Sequence, residues 1–203
     1  MMRGIFVSLE GPDGGGKSTQ AQLLVEALAT HQPLLVREPG GTEVGEEIRR
    51  VVLHTHLRMS PEAEMYLYMA ARAELVDQQI KPALAQGRLV IADRYHDSTL
   101  AYQGGGRGAR VVWPSEFPRP DLTILLSVPA ATGLTRQREG RGGYDRLEAE
   151  PEEFHRTVAE AYARLAAAEP ERWRVVDASA SAGAVHQALM ASIRPLLPAE
   201  ARR

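Results

Sequence analysis

Short apolar runs alternate with amphipathic stretches along most of this chain. The runs are nearly continuous in apolar character, which is typical of strands buried on both faces, and they cover residues 5–9, 33–37, 89–92, 122–128 and 173–176. Strands that alternate in sequence with helices form parallel sheets, because each helix carries the chain back to the same edge. The pattern therefore predicts an α/β fold in which a five-stranded parallel sheet is covered by helices on both faces.

The amphipathic stretches predict the helices between these strands. Helix starts are marked after Thr42, at Ser60 and at Pro151, where a capping residue or a proline precedes the apolar spacing. The residues predicted to face the core in the first two helices are Ala21, Leu24, Val25 and Leu28, and then Val44, Ile48, Val51 and Val52.

Two breaks are expected within the helical part of the chain. The helix that starts at Ser60 should reach residue 86, with Pro82 ending or bending its last turn. A short helix at 97–103 should lead into a mobile glycine-rich loop at 104–108.

The loop between the first strand and the first helix matches a phosphate-binding pattern. It reads G-P-D-G-G-G-K-S, which fits G-x-x-x-x-G-K-[ST], and its residues are Gly11, Pro12, Asp13, Gly14, Gly15, Gly16, Lys17 and Ser18. Glycines let backbone N–H groups surround an anion, and the following helix adds its positive end. Lys17 is placed to reach the β- and γ-phosphates, and the Ser18 hydroxyl to bind Mg²⁺. A glycine-rich turn could match by chance, but strand, loop and helix occur in the required order, so we expect a nucleoside triphosphate to bind here.

Composition narrows the classes of function. The chain has 203 residues, which we interpret as a single domain, with 44% hydrophobic residues, 25% charged residues and a net charge of −2. No basic tail suggests nucleic-acid binding, and no run of about 18 apolar residues suggests a membrane span. With no cysteine, disulfides and thiolate chemistry are excluded. We expect a cytoplasmic protein.

Two adjacent residues distinguish among phosphate-loop proteins. The Asn-Lys-x-Asp motif with which GTPases select guanine cannot occur, because the chain contains no asparagine. Motor-type ATPases usually end a strand with Asp-Glu, whereas the third strand here ends with Asp93-Arg94. Asp93 can hold Mg²⁺ directly or through water, and Arg94 can bind an acceptor phosphate through two parallel hydrogen bonds. The pair favours a kinase that phosphorylates a small molecule.

At this point the chain resembles the thymidylate kinase family. The resemblance rests on the phosphate loop, on R-E-P-G-G-T at 37–42, on D-R-Y-x-D-S-T-x-A-Y-Q-G at 93–104, and on shorter matches at 70–72 and 145–148. It implies a phosphate-loop nucleoside-monophosphate kinase fold and a Mg²⁺-dependent transfer from ATP to dTMP, giving ADP and dTDP for dTTP synthesis. It also implies a homodimer and a mobile lid at about 136–148.

The resemblance assigns residues to the acceptor, dTMP. Arg37 and Arg94 would clamp its phosphate, Asp13 would lie near the sugar 3′-hydroxyl, and Tyr102 would disfavour a ribose 2′-hydroxyl. The remaining dTMP residues that it implies are Tyr68, stacking on thymine, Arg72, donating to a base carbonyl, and Ser98, Thr99 and Gln103 nearby. Tyr68 and Arg72 are four residues apart, so one helix face would present both. Taken alone, Tyr68 could equally be a core residue and Arg72 a solvated charge.

The donor side and the catalytic charges are assigned in the same way. Beside the phosphate loop, Thr19 and Arg136 would contact ATP. The loop itself offers no arginine to the transferring phosphoryl group, so we expect the lid to supply one, either Arg141 or Arg146. The predicted catalytic residues are therefore Lys17, Arg94, Arg141, Arg146 and Asp13.

Two other functions remain open at this stage. One is a kinase for another acceptor, such as dCMP, a deoxynucleoside or a small metabolite, although two arginines at the acceptor favour a phosphorylated one. The other is a regulator that binds nucleotide and switches a partner without phosphorylating a small molecule. A regulator would release no ADP in response to dTMP.

Overall fold

The computed structural model describes residues 3–55, 58–140 and 145–198. Within these residues five strands form one sheet: β1 (Ile5–Glu10), β2 (Leu34–Arg37), β3 (Leu89–Asp93), β4 (Leu122–Ser127) and β5 (Trp173–Asp177). Their order is β2-β3-β1-β4-β5, and neighbouring strands are parallel, with Val7 opposite Ile91 on one side and Leu122 on the other. The predicted five-stranded parallel sheet is confirmed.

Helices cover both faces of this sheet. They are α1 (Lys17–Ala27), α2 (Glu43–His54), α3 (Pro61–Leu75), α4 (Lys81–Ala85), α5 (His96–Thr99), α6 (Ala130–Gly140), α7 (Glu152–Ala168) and α8 (Ala182–Ile193). Alternate strand residues point to opposite faces, so Val7 and Leu9 of β1 pack with α1 and α8, whereas Phe6 packs with α3 and α4. No described helix has the length and apolar character that a membrane crossing requires.

The three predicted helix starts are confirmed, two of them by side-chain capping hydrogen bonds and the third by α7 beginning directly after Pro151. Thr42 Oγ1 accepts from the backbone N–H of Gly45 at 2.9 Å, and Ser60 Oγ accepts from that of Ala63 at 3.2 Å. Pro82 distorts the long helical stretch as expected: a π-helical segment, Val76–Ile80, lies between α3 and α4. Proline has no N–H to donate to the preceding turn, so the regular ladder is interrupted there.

Two predictions about these elements were wrong. Val44 and Val51 were expected in the core, but their side chains are 50% and 46% exposed, because α2 contacts the rest of the chain along a narrower stripe that includes Val52. Three of the four glycines expected in a mobile loop, Gly104, Gly105 and Gly106, instead belong to a π-helical segment, Leu100–Gly106, packed against α7. A Cβ on Gly105 would lie 2.5 Å from the Ala161 Cβ, so the close approach depends on glycine.

Because Gly105 lies so close to Ala161, we expect Gly105→Ala to destabilise the protein by about 1–3 kcal/mol through overpacking. Gly183→Ala is the matched control: Gly183 lies in α8 with no atom within 4 Å of an added Cβ, so the change should be neutral or stabilising by up to about 1 kcal/mol. Urea unfolding of both variants measures the difference. Equal stability of the two variants would contradict the close approach.

Candidate active site

The carboxyl ends of β1, β2 and β3 open onto one cavity of about 350 Å³. Parallel α/β sheets bind ligands at this edge, where loops leave the strands. The predicted site residues that line the cavity are Asp13, Gly14, Gly16, Lys17, Ser18, Thr19, Arg37, Tyr68, Asp93, Arg94, Ser98, Thr99, Tyr102, Gln103 and Arg136. Residues far apart in sequence, predicted for two different substrates, therefore share one cavity.

The phosphate loop takes the conformation that its glycines permit. Gly14 and Gly16 have φ angles of 74° and 80°, which a side chain would disfavour. The Lys17 ammonium donates to the carbonyl oxygens of Gly11, at 3.0 Å, and Pro12, at 2.8 Å, and so braces the loop. Burial lowers the pKa of Lys17 to about 8, and the Arg94 charge adds to this, while Asp13 opposes it.

Two oxygen ligands suited to a metal ion meet where the start of α1 faces the end of β3. The Ser18 hydroxyl donates to Asp93 Oδ2 at 2.6 Å, which places both side chains at the mouth of the loop. Among the described residues no group of three or more His, Cys, Asp or Glu gathers as a metal cage. Mg²⁺ is commonly held by one or two protein oxygens together with substrate phosphates and water, so this pair fits it.

Arg94 connects the end of β3 to the phosphate loop. Its backbone has a left-handed φ of 71°, and its guanidinium forms an ion pair with Asp13 and donates to the Gly11 carbonyl at 3.0 Å. The Tyr102 hydroxyl donates to the other Asp13 oxygen at 2.7 Å. Burial alone would raise the pKa of Asp13, but the Arg94 and Lys17 charges hold it below its usual value. Arg94 and Asp13 are therefore fixed relative to each other.

A second carboxylate supports Arg94 from behind. Glu10, fully buried at the end of β1, accepts from the Ser98 hydroxyl at 2.6 Å and the Tyr162 hydroxyl at 3.0 Å. Both hydroxyls in turn accept from Arg94, at 3.2 and 3.3 Å. The sequence analysis predicted Ser98 as a site residue but missed Glu10 and Tyr162. Glu10 carried a signal, since it is a charge ending an apolar strand, whereas Tyr162 of α7 looks like any core residue.

The side chains predicted for the acceptor base line the far side of the cavity. Tyr68 is buried, and its hydroxyl has no hydrogen-bond partner among the described residues. Burial raises the pKa of Tyr68 well above its usual value, so the hydroxyl stays protonated. Gln103 donates from Nε2 to Glu64 Oε1 at 2.8 Å. The face of α3 that carries Tyr68 is thus turned toward the cavity.

Arg72, four residues after Tyr68, lies behind the cavity wall. Only 1% of it is exposed, and its guanidinium donates to Glu38 Oε2 at 2.7 Å, Thr99 Oγ1 at 3.0 Å and the Tyr95 carbonyl at 3.1 Å. Arg72, fixed by Glu38 and Tyr95, in turn holds Thr99 in position. The predicted contact of Arg72 with a base carbonyl stays a prediction.

Two arginines of β2 and α2 face the acceptor side. Arg37 lines the cavity and is half exposed, with Glu46 at 3.7 Å. Arg49, which sequence reasoning missed, also lines the cavity and donates to the Pro39 carbonyl at 2.7 Å. Burial lowers the pKa of Arg49, and the neighbouring Arg37 charge contributes. Arg49 lacked a signal because it belongs to a helix whose charged residues look solvent-exposed.

The predicted lid is only partly within the described residues. Arg136 lines the cavity and donates to the Ala178 carbonyl at 2.7 Å, and Asp145 lines it as well. Arg146 does not line it: its guanidinium donates to the Val52 carbonyl at 2.9 Å and lies 2.7 Å from Glu64 Oε2. Arg141 lies outside the described residues.

Comparison with known proteins identifies the family to which the chain belongs. The profile of the thymidylate kinase family matches residues 9–189. A thymidylate kinase of Roseiflexus sp. (strain RS-1) is 46% identical, covering 95% of each chain, and one of Clavibacter sepedonicus is 47% identical, covering 87% of this chain and 88% of that one. The crystal structure of thymidylate kinase from Ehrlichia chaffeensis has a TM-score of 0.75 at 28% identity, covering 95% of this chain and 99% of that chain. The fold is that of the phosphate-loop nucleoside-monophosphate kinases, and the chain belongs to the thymidylate kinase family.

Proposed function

We propose that ATP binds with its phosphates on the phosphate loop and that dTMP binds between α3 and the residues that follow β3. The reaction is transfer of the γ-phosphoryl group of ATP to dTMP, giving ADP and dTDP. One observation carries this assignment: Arg94, predicted to bind the acceptor phosphate, is bonded within one cavity to Gly11 and Asp13 of the donor loop. Donor and acceptor phosphates bound to these groups would be neighbours.

On the donor side, the loop N–H groups and the N-terminus of α1 bind the phosphates. Lys17 exchanges its loop carbonyls for phosphate oxygens, and Thr19 and Arg136 contact the nucleotide from either side. Ser18 and Asp93 hold Mg²⁺, which when bound neutralises charge on the β- and γ-phosphates. Each group either positions the donor or offsets its negative charge.

On the acceptor side, Arg94 and Arg37 bind the dTMP phosphate. Asp13 and Tyr102, already bonded to each other, would lie beside the sugar, where the Tyr102 ring would disfavour a ribose 2′-hydroxyl. Tyr68 stacks on the base, and Thr99 and Gln103 contact its polar edge. The cavity contacts described above support each of these assignments.

Transfer then requires positioning more than chemical activation. An acceptor phosphate oxygen is already nucleophilic near neutral pH, so no general base has to generate it. In-line placement of the two phosphates and exclusion of water supply the catalysis. We propose that the segment 136–148 closes over the donor and that Arg141 brings the additional positive charge to the transferring group.

We also propose that the protein acts as a homodimer. The exposed Val44 and Val51 lie seven residues apart on one face of α2, and Tyr66, 66% exposed, lies on the adjoining α3. A second copy would remove this apolar area from water. The expected cytoplasmic location stays a prediction.

The reaction is tested by ADP release over a panel of nucleoside monophosphates, with and without Mg²⁺. Rapid ADP release should require both dTMP and Mg²⁺, and Lys17→Ala should lower kcat by about a hundredfold or more, because a charge directed at the transferring phosphate is lost. Binding of ATP without ADP release in the presence of any monophosphate would identify a nucleotide-dependent regulator instead.

The lid assignment predicts different results for its two arginines. Arg141→Ala should lower kcat by roughly a thousandfold with little change in KM for ATP. Arg146→Ala should lower kcat less, because its guanidinium is bound to Val52 and Glu64. Steady-state kinetics of both variants decide the matter, and normal turnover by Arg141→Ala would show that the charge comes from elsewhere.

The dimer surface predicts that Val51→Asp yields a monomer, because burying an unpaired carboxylate is costly. Val175→Asp is the control, since Val175 is 61% exposed on β5, outside the proposed interface. Sedimentation velocity should give a dimer for the wild type and the control. A wild type that sediments as a monomer would refute the interface.

The raised pKa of the buried Glu10 carboxyl should make the stability of the protein depend on pH. Burial raises its pKa from 4.5 to about 7, with a further contribution from the Asp97 carboxylate. Between these values the folded state retains a proton that the unfolded chain has lost, so this contribution to stability falls as pH rises from about 4.5 through 7. Glu10→Gln removes the titration, so its stability relative to the wild type should increase over that range.

Urea unfolding at several pH values between 5 and 8 measures this difference. Glu26→Gln, which changes an exposed carboxylate of α1, should show no such trend. A stability difference between Glu10→Gln and the wild type that does not vary with pH would contradict the raised pKa.

A further inference from the structure

We propose that Glu64 determines which end of the Gln103 amide faces the acceptor base, and that it thereby sets the preference for thymine over cytosine. Glu64 itself does not line the cavity, so it acts as a positioning residue through Gln103. The inference rests on the proposed function, because it takes the space beside Gln103 and Tyr68 as the base pocket.

The Glu64 and Gln103 side chains contact each other in the interior of the protein. Glu64 and Gln103 are each 1% exposed, and Gln103 Nε2 donates to Glu64 Oε1 at 2.8 Å. A carboxylate can only accept hydrogen bonds, whereas an amide has one donating and one accepting end. Turning the amide around would place two acceptors against each other in a buried site, which is costly. Glu64 therefore keeps the amide nitrogen on its own side and leaves the oxygen as the free end.

Two arginine side chains hold Glu64 in place. Its other oxygen, Oε2, lies 2.7 Å from the Arg146 guanidinium and 3.6 Å from Arg107 Nε. Arg107 is itself anchored, since it donates to Glu150 Oε1 at 2.6 Å and lies over the Phe154 ring. Two guanidinium groups balance the buried charge of Glu64 and restrict its movement, so the amide it orients is fixed too.

Thymine and cytosine differ in the hydrogen-bonding groups that they carry at N3 and C4. Thymine carries a donor, N3–H, between two carbonyl oxygens, whereas cytosine carries an acceptor at N3 and an amino group at C4. A fixed acceptor from Gln103 complements the thymine N3–H and opposes the unprotonated N3 of cytosine. Because the Gln103 amide cannot rotate, its oxygen and the cytosine N3, both acceptors, would remain without a hydrogen bond. Sites that hydrogen-bond the correct substrate reject analogues in this way.

The decisive variant is Glu64→Gln, tested by kcat/KM for dTMP and for dCMP. An amide at position 64 can either accept from or donate to Gln103, so both orientations of Gln103 become available. We expect the dTMP/dCMP ratio to fall by about tenfold or more. Glu64→Asp keeps a group that can only accept, so it should retain the preference even if turnover falls. Glu62→Gln, which changes an exposed carboxylate of the same helix outside this network, should keep the wild-type ratio.

A double-mutant cycle separates positioning from a general structural role. In the Gln103→Leu background there is no amide to orient, so adding Glu64→Gln should leave the dTMP/dCMP ratio of Gln103→Leu unchanged. If Glu64→Gln alone lowers both kcat/KM values equally and preserves their ratio, the inference is wrong although the protein phosphorylates dTMP. If the wild type releases no ADP with dTMP, the proposed function itself fails. Should Glu64→Gln not fold, a loss of preference in Glu64→Asp would overturn the inference.

Discussion

The partly buried ion pair between Arg94 and Asp13 is the interaction on which the rest of the site depends. Arg94 directly follows β3, and its backbone N–H donates to the Leu9 carbonyl of β1 at 3.0 Å, so the arginine is tied to the sheet. Asp13 belongs to the phosphate loop. Removing either side chain would leave the other as an unpaired, partly buried charge, which is costly. As a result the loop proposed to bind the donor and the arginine proposed to bind the acceptor are held at one fixed separation.

Much of this arrangement could be predicted from local sequence. Apolar runs gave the five strands to within a residue or two, because buried parallel strands need no partner information to be recognised. The segment at 104–106 could not be predicted locally, since glycines there serve a close contact with α7 rather than a loop. Val44 and Val51 were misplaced for a related reason: apolar spacing shows which face of a helix is apolar, but not whether this chain or a second one covers it.

In the site, too, some residues could be predicted from local sequence and others depend on contacts between distant parts of the chain. Lys17, Ser18, Asp93 and Arg94 were predictable because the chemistry of phosphate binding puts them in short motifs beside strand ends. The side chains that contact other predicted site residues lie far from them in sequence, and each looks ordinary in its own segment; they are Glu10 beside Ser98, Glu38 beside Arg72, Glu64 beside Gln103 and Tyr162 beside Arg94. Only the fold brings such partners together. The same holds for Arg146, whose partner Glu64 belongs to α3, with both β3 and β4 between the two residues in sequence.

The most direct test of this account is a crystal structure with dTMP, Mg²⁺ and a non-hydrolysable ATP analogue bound together. The account predicts that the dTMP phosphate lies within about 3 Å of the Arg94 guanidinium, with Arg94 still paired to Asp13. It also predicts that the γ-phosphate analogue lies in line with an oxygen of that phosphate. A dTMP phosphate bound away from Arg94, with the Arg94–Asp13 pair intact, would contradict the central claim.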